Sequence, residues 1–272
     1  MKPGFPILMY HALWPAGLSP AEVDAHCRRD PQLADPGARR YALDAAVFDR
    51  QLEQLARHAA PMAAQWDDLA RGRGAPRQAW ITFDDGHASN HELALPLLRR
   101  RGLRAAFFIT TDWIGAERFM TPAMLRALRD AGMLLGSHGC SHRYLSDLTT
   151  AELDRELRES KARLEELLSE EIPALALPGG RGDGRVRERA RAAGYRYLFT
   201  SRVGLAPPEG DPLALPRVPI VNDQPEAFLS RLLAGETAEL ARMARGARRR
   251  EFARRMLGNR IYDRLRGWVM RE

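Results

Sequence analysis

Short apolar runs alternate with segments of helical periodicity along most of this chain, and this alternation limits its fold more than any other feature. The apolar runs have strand length and are bounded by turn residues. Strands that alternate with helices lie parallel and are joined by helical crossovers. About seven such units favour a closed or nearly closed barrel over an open sheet. The predicted strands are 7–10, 78–83, 104–110, 133–137, 174–177, 197–200 and 215–221.

The longest predicted helix spans 149–170, where Thr150 and Asp154 lie near a capping spacing, and Asp44 is expected to cap an earlier helix. Residues 12–40 are rich in Pro, Gly, Asp and Arg and lack a sustained period. We expect a long surface excursion there, with a short helix near 21–26. Connections of this length in compact domains are usually functional or mobile.

Two adjacent carboxylates follow the second predicted strand. Asp84 and Asp85 come at its end and Gly86 terminates it. Adjacent side chains on a strand point in opposite directions, so the two carboxylates should have different roles. In parallel barrels the reactive groups gather at the C-terminal ends of the strands, and both residues fall there by this interpretation.

Two histidines, His138 and His142, follow another predicted strand and are four residues apart. They can converge on one ion if the segment turns, and a carboxylate such as Asp85 completes a three-ligand site with an open position. Asp-Asp-Gly alone is more often a turn, and His-x3-His alone is about as often structural. Found together at strand ends, they favour a site for one divalent metal. Zinc suits this ligand set best, and cobalt or nickel is also tolerated.

These residues also carry a family resemblance. Thr82-Phe83-Asp84-Asp85-Gly86 followed by His138-x3-His142 resembles the polysaccharide deacetylase family, the NodB homology domain of carbohydrate esterase family 4. Residues 175–180, Leu-Ala-Leu-Pro-Gly-Gly, resemble the family's next motif in degraded form. Order and spacing match from about residue 7 to 220, and the Met-Tyr-His opening is similar to a subgroup from exopolysaccharide loci.

The resemblance implies an α/β fold, a distorted (β/α)7 barrel of the NodB-homology type. It also implies metal-dependent removal of N-acetyl groups from an amino sugar, with Asp84 as the general base and Asp85, His138 and His142 as the metal ligands. We expect substrate contacts from a group of residues near the strand ends: Pro178, Gly179, Tyr144 and Trp113.

Two departures from the family pattern affect the expected site. The residue after the first histidine is usually Ser or Thr, but here it is Gly139, and Ser141 is the candidate to make part of the missing hydrogen bonding. The third motif usually carries an arginine against the base, and here that position is Ala176. Arg181 or Arg217 could reach the same region.

The third departure concerns the general acid. The family's acid is a histidine from a C-terminal Leu-x-x-His motif, yet this chain has no histidine after His142. His11 is the best substitute, because it follows the first strand, which a closed barrel places beside the last. His87 is the second choice. A structural, hydrogen-bonded imidazole is the alternative interpretation of His11.

Three functions remain open from the sequence. The first is a deacetylase acting on a polysaccharide or on its lipid- or nucleotide-linked precursor. The second is a hydrolase of another non-peptide C–N bond, such as a formamide or a cyclic amide. The third is a non-catalytic barrel that binds glycan, but such a protein has no need of a non-ligand carboxylate such as Asp84 beside the ion.

We divide the 272 residues into a barrel domain at 1–222 and a basic amphipathic helical tail at 223–272. The formal charge of +7 comes almost entirely from arginine. In the barrel these arginines are interspersed with acids, so we expect no nucleic-acid partner. The tail either packs on the barrel or contacts an anionic membrane through one apolar stripe, composed of Phe252, Met256, Leu257, Ile261, Leu265 and Trp268.

Cys27 and Cys140 do not require a disulfide. We recognise no export signal in the opening residues and no apolar stretch of transmembrane length. The expectation is therefore a cytoplasmic enzyme, with peripheral contact at the inner membrane face as an option. The sequence gives no oligomeric state.

Overall fold

Seven parallel strands close into a barrel in the computed structural model, which describes residues 4–30, 32–58, 66–67 and 79–257. Around the barrel these strands follow their order in the chain, and the first, Ile7–Tyr10, closes the barrel by pairing with both Trp80–Phe83 and Leu215–Pro219. The predicted barrel is thereby confirmed. The strands are β1 (Ile7–Tyr10), β2 (Leu13–Trp14), β3 (Leu43–Asp44), β4 (Trp80–Phe83), β5 (Ala106–Ile109), β6 (Leu134–Ser137), β7 (Ala174–Ala176), β8 (Tyr197–Val203) and β9 (Leu215–Pro219).

Helices cover the outside of the barrel, and side chains cap the first turns of several of them. The helices described are Pro20–Arg28, Pro36–Arg39, Ala45–His58, Leu95–Arg100 (after a π-helical turn, Asn90–Ala94), Pro122–Asp130, Thr150–Leu168, Gly184–Ala192, Phe228–Leu233 and Ala238–Leu257. Asp44 accepts hydrogen bonds from the backbone at the start of its helix, as predicted. The capping box of the Thr150–Leu168 helix joins Thr149 and Glu152. The expected Thr150–Asp154 pair was wrong, because Thr150 is already the first helical residue.

Alternate residues of the strands fall into two separate apolar clusters. Ile7, Trp80 and Phe108 belong to the cluster inside the barrel, and Leu8 and Ile81 belong to the cluster beneath the helices. This division follows from the two-residue period of a strand. We call the strand residues that face the barrel interior the inner set. Residues that continue this alternation past the C-terminal ends of the strands therefore point into the mouth of the barrel.

The excursion after β1 is ordered where the structure describes it. It contains two helices and is fixed to the barrel by a buried contact, in which His87 Nε2 lies 2.7 Å from Asp30 Oδ2. His87 Nδ1 accepts a hydrogen bond from the Ser89 backbone at 3.1 Å, so Nε2 carries the proton donated to Asp30. Cys27 lies in a small apolar cluster of this excursion, and both thiols of the chain are buried and free.

The last described helix, Ala238–Leu257, packs beside β8 and buries Leu240. Phe252, Met256 and Leu257 of the predicted stripe are exposed on it. The other members of that stripe, Ile261, Leu265 and Trp268, lie outside the described residues. Among the described residues, no helix combines the length and hydropathy needed to cross a bilayer.

Candidate active site

A buried ion pair lies at the C-terminal mouth of the barrel. Asp84 continues the inner set of β4, and Arg217 belongs to the inner set of β9. The Arg217 guanidinium donates two hydrogen bonds to the Asp84 carboxylate, both at 2.7 Å, in the bidentate arrangement that guanidinium and carboxylate favour. Burial raises the pKa of Asp84, but the charges of Arg217 and His138 outweigh it and hold that pKa below its usual value. Asp84 is therefore ionised at neutral pH.

Three candidate metal ligands meet beside this pair. The Nε2 atoms of His138 and His142 lie 3.3 and 3.2 Å from Asp85 Oδ1. One potential ligand atom from each of the three residues lies within 4.8 Å of the others. Asp85 and His142 both adopt positive φ, 75° and 59°, which is uncommon for residues other than glycine. The backbone is thus held in a costly conformation where it aims these two side chains at one point.

Each imidazole is oriented by its surroundings. His138 Nδ1 lies 2.9 Å from the backbone carbonyl of Ala176 on β7, to which it donates, and Nε2 is therefore left to face Asp85. The ring of His142 stacks on Trp113 with centroids 4.9 Å apart. Thus Ala176, which stands where the family has arginine, still orients a candidate ligand through its main chain.

Glu156, from the Thr150–Leu168 helix, holds the loop between the two histidines. Its carboxylate accepts hydrogen bonds from the backbone of Cys140 at 2.7 Å and of Ser141 at 3.1 Å, and another from the Ser141 hydroxyl. Gly139 has φ of 80°, and a Cβ there would lie 3.1 Å from the Glu156 carboxylate. The loop thus takes its polar support from a helix, while its first residue is a glycine.

The residues present fit a divalent cation. Burial raises the pKa of Asp85, but the adjacent imidazoles of His138 and His142 bring that pKa well below its usual value, so the carboxylate is anionic. Asp85 Oδ1 is buried and has no well-aligned hydrogen-bond partner among the described residues. A buried anionic oxygen facing two imidazole nitrogens is a donor set that zinc and similar ions accept.

These groups open into a cavity of about 800 Å3. The excursion after β1 forms one wall with residues 34–38 and Tyr41. From the same segment, the Gln32 amide donates a hydrogen bond to Asp85 Oδ2. The excursion therefore closes one side of the cavity and also contacts a candidate metal ligand. A cavity of this size accommodates a sugar unit and its neighbours.

His11 lines this cavity, next to Tyr41, with ring centroids 4.8 Å apart. Its Nδ1 is buried and has no hydrogen-bond partner among the described residues. Burial lowers the pKa of His11 by more than the charges of Asp85 and Asp84 raise it, so that pKa lies below its ordinary value. The ring thus lies at the site and has a nitrogen available for a further partner.

The cavity wall includes three of the four expected substrate contacts, Trp113, Tyr144 and Gly179. The fourth, Pro178, is buried beneath Gly139 and does not line the cavity. Gly179 has φ of 57°, and a Cβ there would come within 2.5 Å of the Tyr144 ring. The glycine therefore lets the loop approach the ring closely.

Other sequence candidates lie elsewhere. Arg181 covers the Tyr144 ring, with its guanidinium carbon 3.7 Å from the ring centroid, so Arg217 rather than Arg181 reaches the expected base. His87 anchors the excursion and is not a lining residue of the cavity. Gln32 and Glu156 were not anticipated. Glu156 carries one sequence signal, since it interrupts the helix's apolar stripe between Leu153 and Leu157.

Comparison with known proteins agrees with these motifs. Residues 71–198 match the family model for polysaccharide deacetylase. The Bacillus subtilis protein YxkH is 28% identical over 138 residues, which are 51% of this chain and 50% of YxkH, so the chain spans about half the length of that relative. A poly-beta-1,6-N-acetyl-D-glucosamine N-deacetylase of Staphylococcus aureus strain MRSA252 is 24% identical over 208 residues, covering 70% of this chain and 72% of that protein.

Solved structures share the fold. The Streptococcus pyogenes deacetylase PplD, in complex with acetate, superposes with a TM-score of 0.72 and 22% identity over 86% of this chain and 99% of PplD. IcaB from Ammonifex degensii gives a TM-score of 0.67 and 22% identity over 86% of this chain and 97% of IcaB. At this identity the likeness establishes the barrel. The family match itself identifies residues 71–198 as similar to a polysaccharide deacetylase domain.

Proposed function

We propose that this protein is a metal-dependent hydrolase that removes N-acetyl groups from an amino sugar. The observation that carries the proposal is a buried, ionised carboxylate, Asp84, which lies beside a candidate metal site and opens into a cavity large enough for a sugar. A protein that only binds glycan has no use for such a group. The family match supports the same reaction class.

Asp84 is the proposed general base. Its bidentate contact with Arg217 fixes the direction of the carboxylate and keeps it ionised, so that it can accept a proton from water. Arg217 does not line this cavity and acts through Asp84, as a positioning residue. Asp84 and Asp85 are adjacent in sequence but take separate roles, because the positive φ of Asp85 turns its side chain toward the histidines.

Asp85, His138 and His142 are the residues that would hold the cation, and zinc is the ion we propose, with cobalt or nickel as substitutes. When bound there, a divalent cation polarises the acyl oxygen of the amide and lowers the pKa of water. His138 is held for this task by the carbonyl of Ala176, and His142 by the loop that Glu156 supports.

His11 is the proposed general acid, which would protonate the departing amine. It lies in the cavity and has an unpartnered ring nitrogen. Three described histidines line the cavity, and two of them, His138 and His142, are candidate ligands. His11 is therefore the histidine that remains for proton transfer.

The relatives supply the substrate class that we propose. The Staphylococcus aureus relative is named for poly-beta-1,6-N-acetyl-D-glucosamine, so we propose an N-acetylglucosamine chain or its lipid- or nucleotide-linked precursor as substrate. Action in the cytoplasm or at the inner membrane face remains our expectation. Aromatic walls at Tyr41, Trp113 and Tyr144 suit the apolar faces of sugar rings.

The deciding experiment incubates the purified full chain with β-1,6-linked N-acetylglucosamine oligomers and measures acetate and free amine together. Chelation should abolish release of both products, and zinc, cobalt or nickel should restore it. An N-formylated amino sugar and a small cyclic amide are assayed in parallel. Turnover of one of these without any acetate release would favour the other C–N hydrolases. Absence of turnover on all substrates by metal-loaded protein would contradict an enzymatic role.

A further inference from the structure

The charge of this chain is divided very unevenly between the barrel and the last helix. Residues 1–237 contain 31 basic and 31 acidic residues, so their formal charge is zero. Residues 238–272 contain 11 basic and four acidic residues, which account for the entire excess of +7. Seven of the 11 lie within the Ala238–Leu257 helix, against two glutamates. A source-wide preference for arginine does not explain this partition, because the barrel balances its arginines with acids.

The helix also has an exposed stripe that combines charge with apolar groups. Positions three and four residues apart lie on one face of a helix. Five such positions face solvent and form what we call the exposed stripe: Arg242, Arg245, Arg249, Phe252 and Met256. Phe252 is 67% exposed and Met256 is 71% exposed. Basic side chains can contact the phosphate groups of a bilayer surface, and large apolar side chains beside them can enter the headgroup boundary.

The other side of the helix faces the protein. Leu240 is buried in the main core and Met243 packs against it. Farther along, Arg254 lines the catalytic cavity. The helix is therefore held in place by its inner side, so the exposed stripe is not needed for packing on the described part of the barrel.

The arginines of the stripe differ from most barrel arginines in their partners. Within the described ranges, no ion pair involves Arg242, Arg245 or Arg249. Many barrel arginines do have acidic partners, as Arg189 has in Asp154 and Arg101 has in Asp49. Guanidinium groups left without acids are available to an anionic surface.

We propose that the exposed stripe docks the protein on a bilayer surface rich in anionic phospholipid. The arginines would contact phosphate groups, and Phe252 and Met256 would enter the boundary between headgroups and acyl chains. The two apolar side chains favour lipid over nucleic acid, which offers no apolar layer to enter. Since Arg254 of the same helix lines the cavity, docking would bring the cavity mouth within about 10 Å, one helix diameter, of the headgroups.

The test is co-sedimentation of the full chain with vesicles of pure phosphatidylglycerol or pure phosphatidylcholine at low salt. We expect the wild type to sediment with the anionic vesicles alone. The R242Q/R245Q/R249Q variant should partition about a hundredfold less, since each basic residue near such a surface contributes about a factor of five. The F252S/M256S variant should lose about tenfold or more, because each apolar side chain leaves the bilayer.

A matched control replaces three other exposed helical arginines, as R126Q/R158Q/R191Q, and should sediment like the wild type. Equal loss in this control would mean that overall charge, not the stripe, drives binding. Wild-type protein that stays in the supernatant with phosphatidylglycerol would overturn the proposal.

Two further outcomes would also overturn it. One is a wild-type dimer, detected by sedimentation velocity, that the F252S/M256S variant no longer forms although this variant still binds vesicles. The other is oligonucleotide binding that needs the arginines but not Phe252 and Met256. Vesicle binding is measured without substrate, so its failure is distinct from failure of the proposed hydrolase activity. The stripe variants should keep wild-type turnover on a soluble oligomer.

Discussion

The floor and the rim of the cavity are built in different ways. The floor consists of side chains at strand ends, namely His11, Asp84, Asp85 and His138, with Arg217 beneath them. The rim consists of side chains on loops and short helices, including Tyr41, Trp113, Tyr144, Gly179 and residues 34–38. Most floor groups are fully buried and held by two or more partners, whereas rim groups are partly exposed.

This difference separates chemistry from recognition. Buried groups with fixed hydrogen bonds can be held in one orientation, which proton transfer and metal binding require. Partly exposed aromatic groups can adapt to a substrate and contribute contact area. Changes in the floor should therefore lower kcat or remove metal, and changes in the rim should mainly raise KM.

The largest effect is expected from removing the paired imidazoles of the metal site. The His138→Ala/His142→Ala variant should lose its divalent metal and all measurable deacetylation, because only Asp85 of the three candidate ligands remains. Metal content is measured by inductively coupled plasma mass spectrometry on protein reconstituted with zinc. Full occupancy in this variant would refute the ligand assignment.

Asp84→Asn should retain metal and lower kcat by about 10² to 10⁴, since the amide cannot accept a proton from water. The control is Asp35→Asn. The Asp35 carboxylate lies on the rim of the same cavity, and an asparagine there can still cap the helix that Asp35 begins. Steady-state kinetics on an N-acetylglucosamine oligomer compare the two. Wild-type kcat in Asp84→Asn would make Asp84 a structural residue.

His11→Gln should slow amide hydrolysis by about 10² while the metal stays bound, because the departing amine would lose its proton donor. An activated ester such as 4-nitrophenyl acetate needs no such proton. Its hydrolysis should therefore be nearly unchanged in the variant. If both substrates slow equally, His11 supports the site and does not act as the acid.

Glu156→Gln tests the connection between floor and rim, since Glu156 holds the loop that carries His142. An amide can replace only part of this contact, so metal affinity should fall by about 10- to 100-fold. Glu159→Gln, on the same helix but exposed, is the control. Competition with a fluorescent zinc chelator gives the zinc affinity of each variant. Equal affinities would show that the loop keeps its conformation without the Glu156 carboxylate.

Tyr144→Ala should give the smallest effect, a rise in KM of about tenfold with little change in kcat. The ring lines the cavity and carries Arg181 on its face, but it touches none of the floor groups by hydrogen bond. Initial rates over a range of oligomer concentrations separate the two constants. A fall in kcat with unchanged KM would show that Tyr144 acts in the chemical step rather than in substrate binding.

The floor could largely be predicted from the sequence. Strand periodicity and the strand-end rule bring together Asp84, Asp85 and His138, and a short motif supplies His142. Arg217 could be proposed only together with Arg181. The choice between them depends on which face of β9 points inward, and the prolines of that strand obscure its period.

The rim and its supports could not be predicted to the same extent. Gln32 reaches Asp85 from an excursion with no sustained period, so no pattern indicates where its side chain points. Pro178 belongs to a recognisable motif, but the tight backbone of Gly179 and Gly180 buries it and exposes its neighbour. Glu156 could have been suspected, since a glutamate on an apolar helix stripe needs a buried polar partner.

The Asp84–Arg217 pair joins residues that are 133 positions apart in the chain. During synthesis, Asp84, Asp85, His138 and His142 leave the ribosome well before β9 does. The candidate ligands can therefore come together on a partial barrel, but the base obtains its arginine only when the last strand closes against the first. An incomplete chain would thus be able to take up metal without being able to use it, and hydrolytic activity would report completed folding.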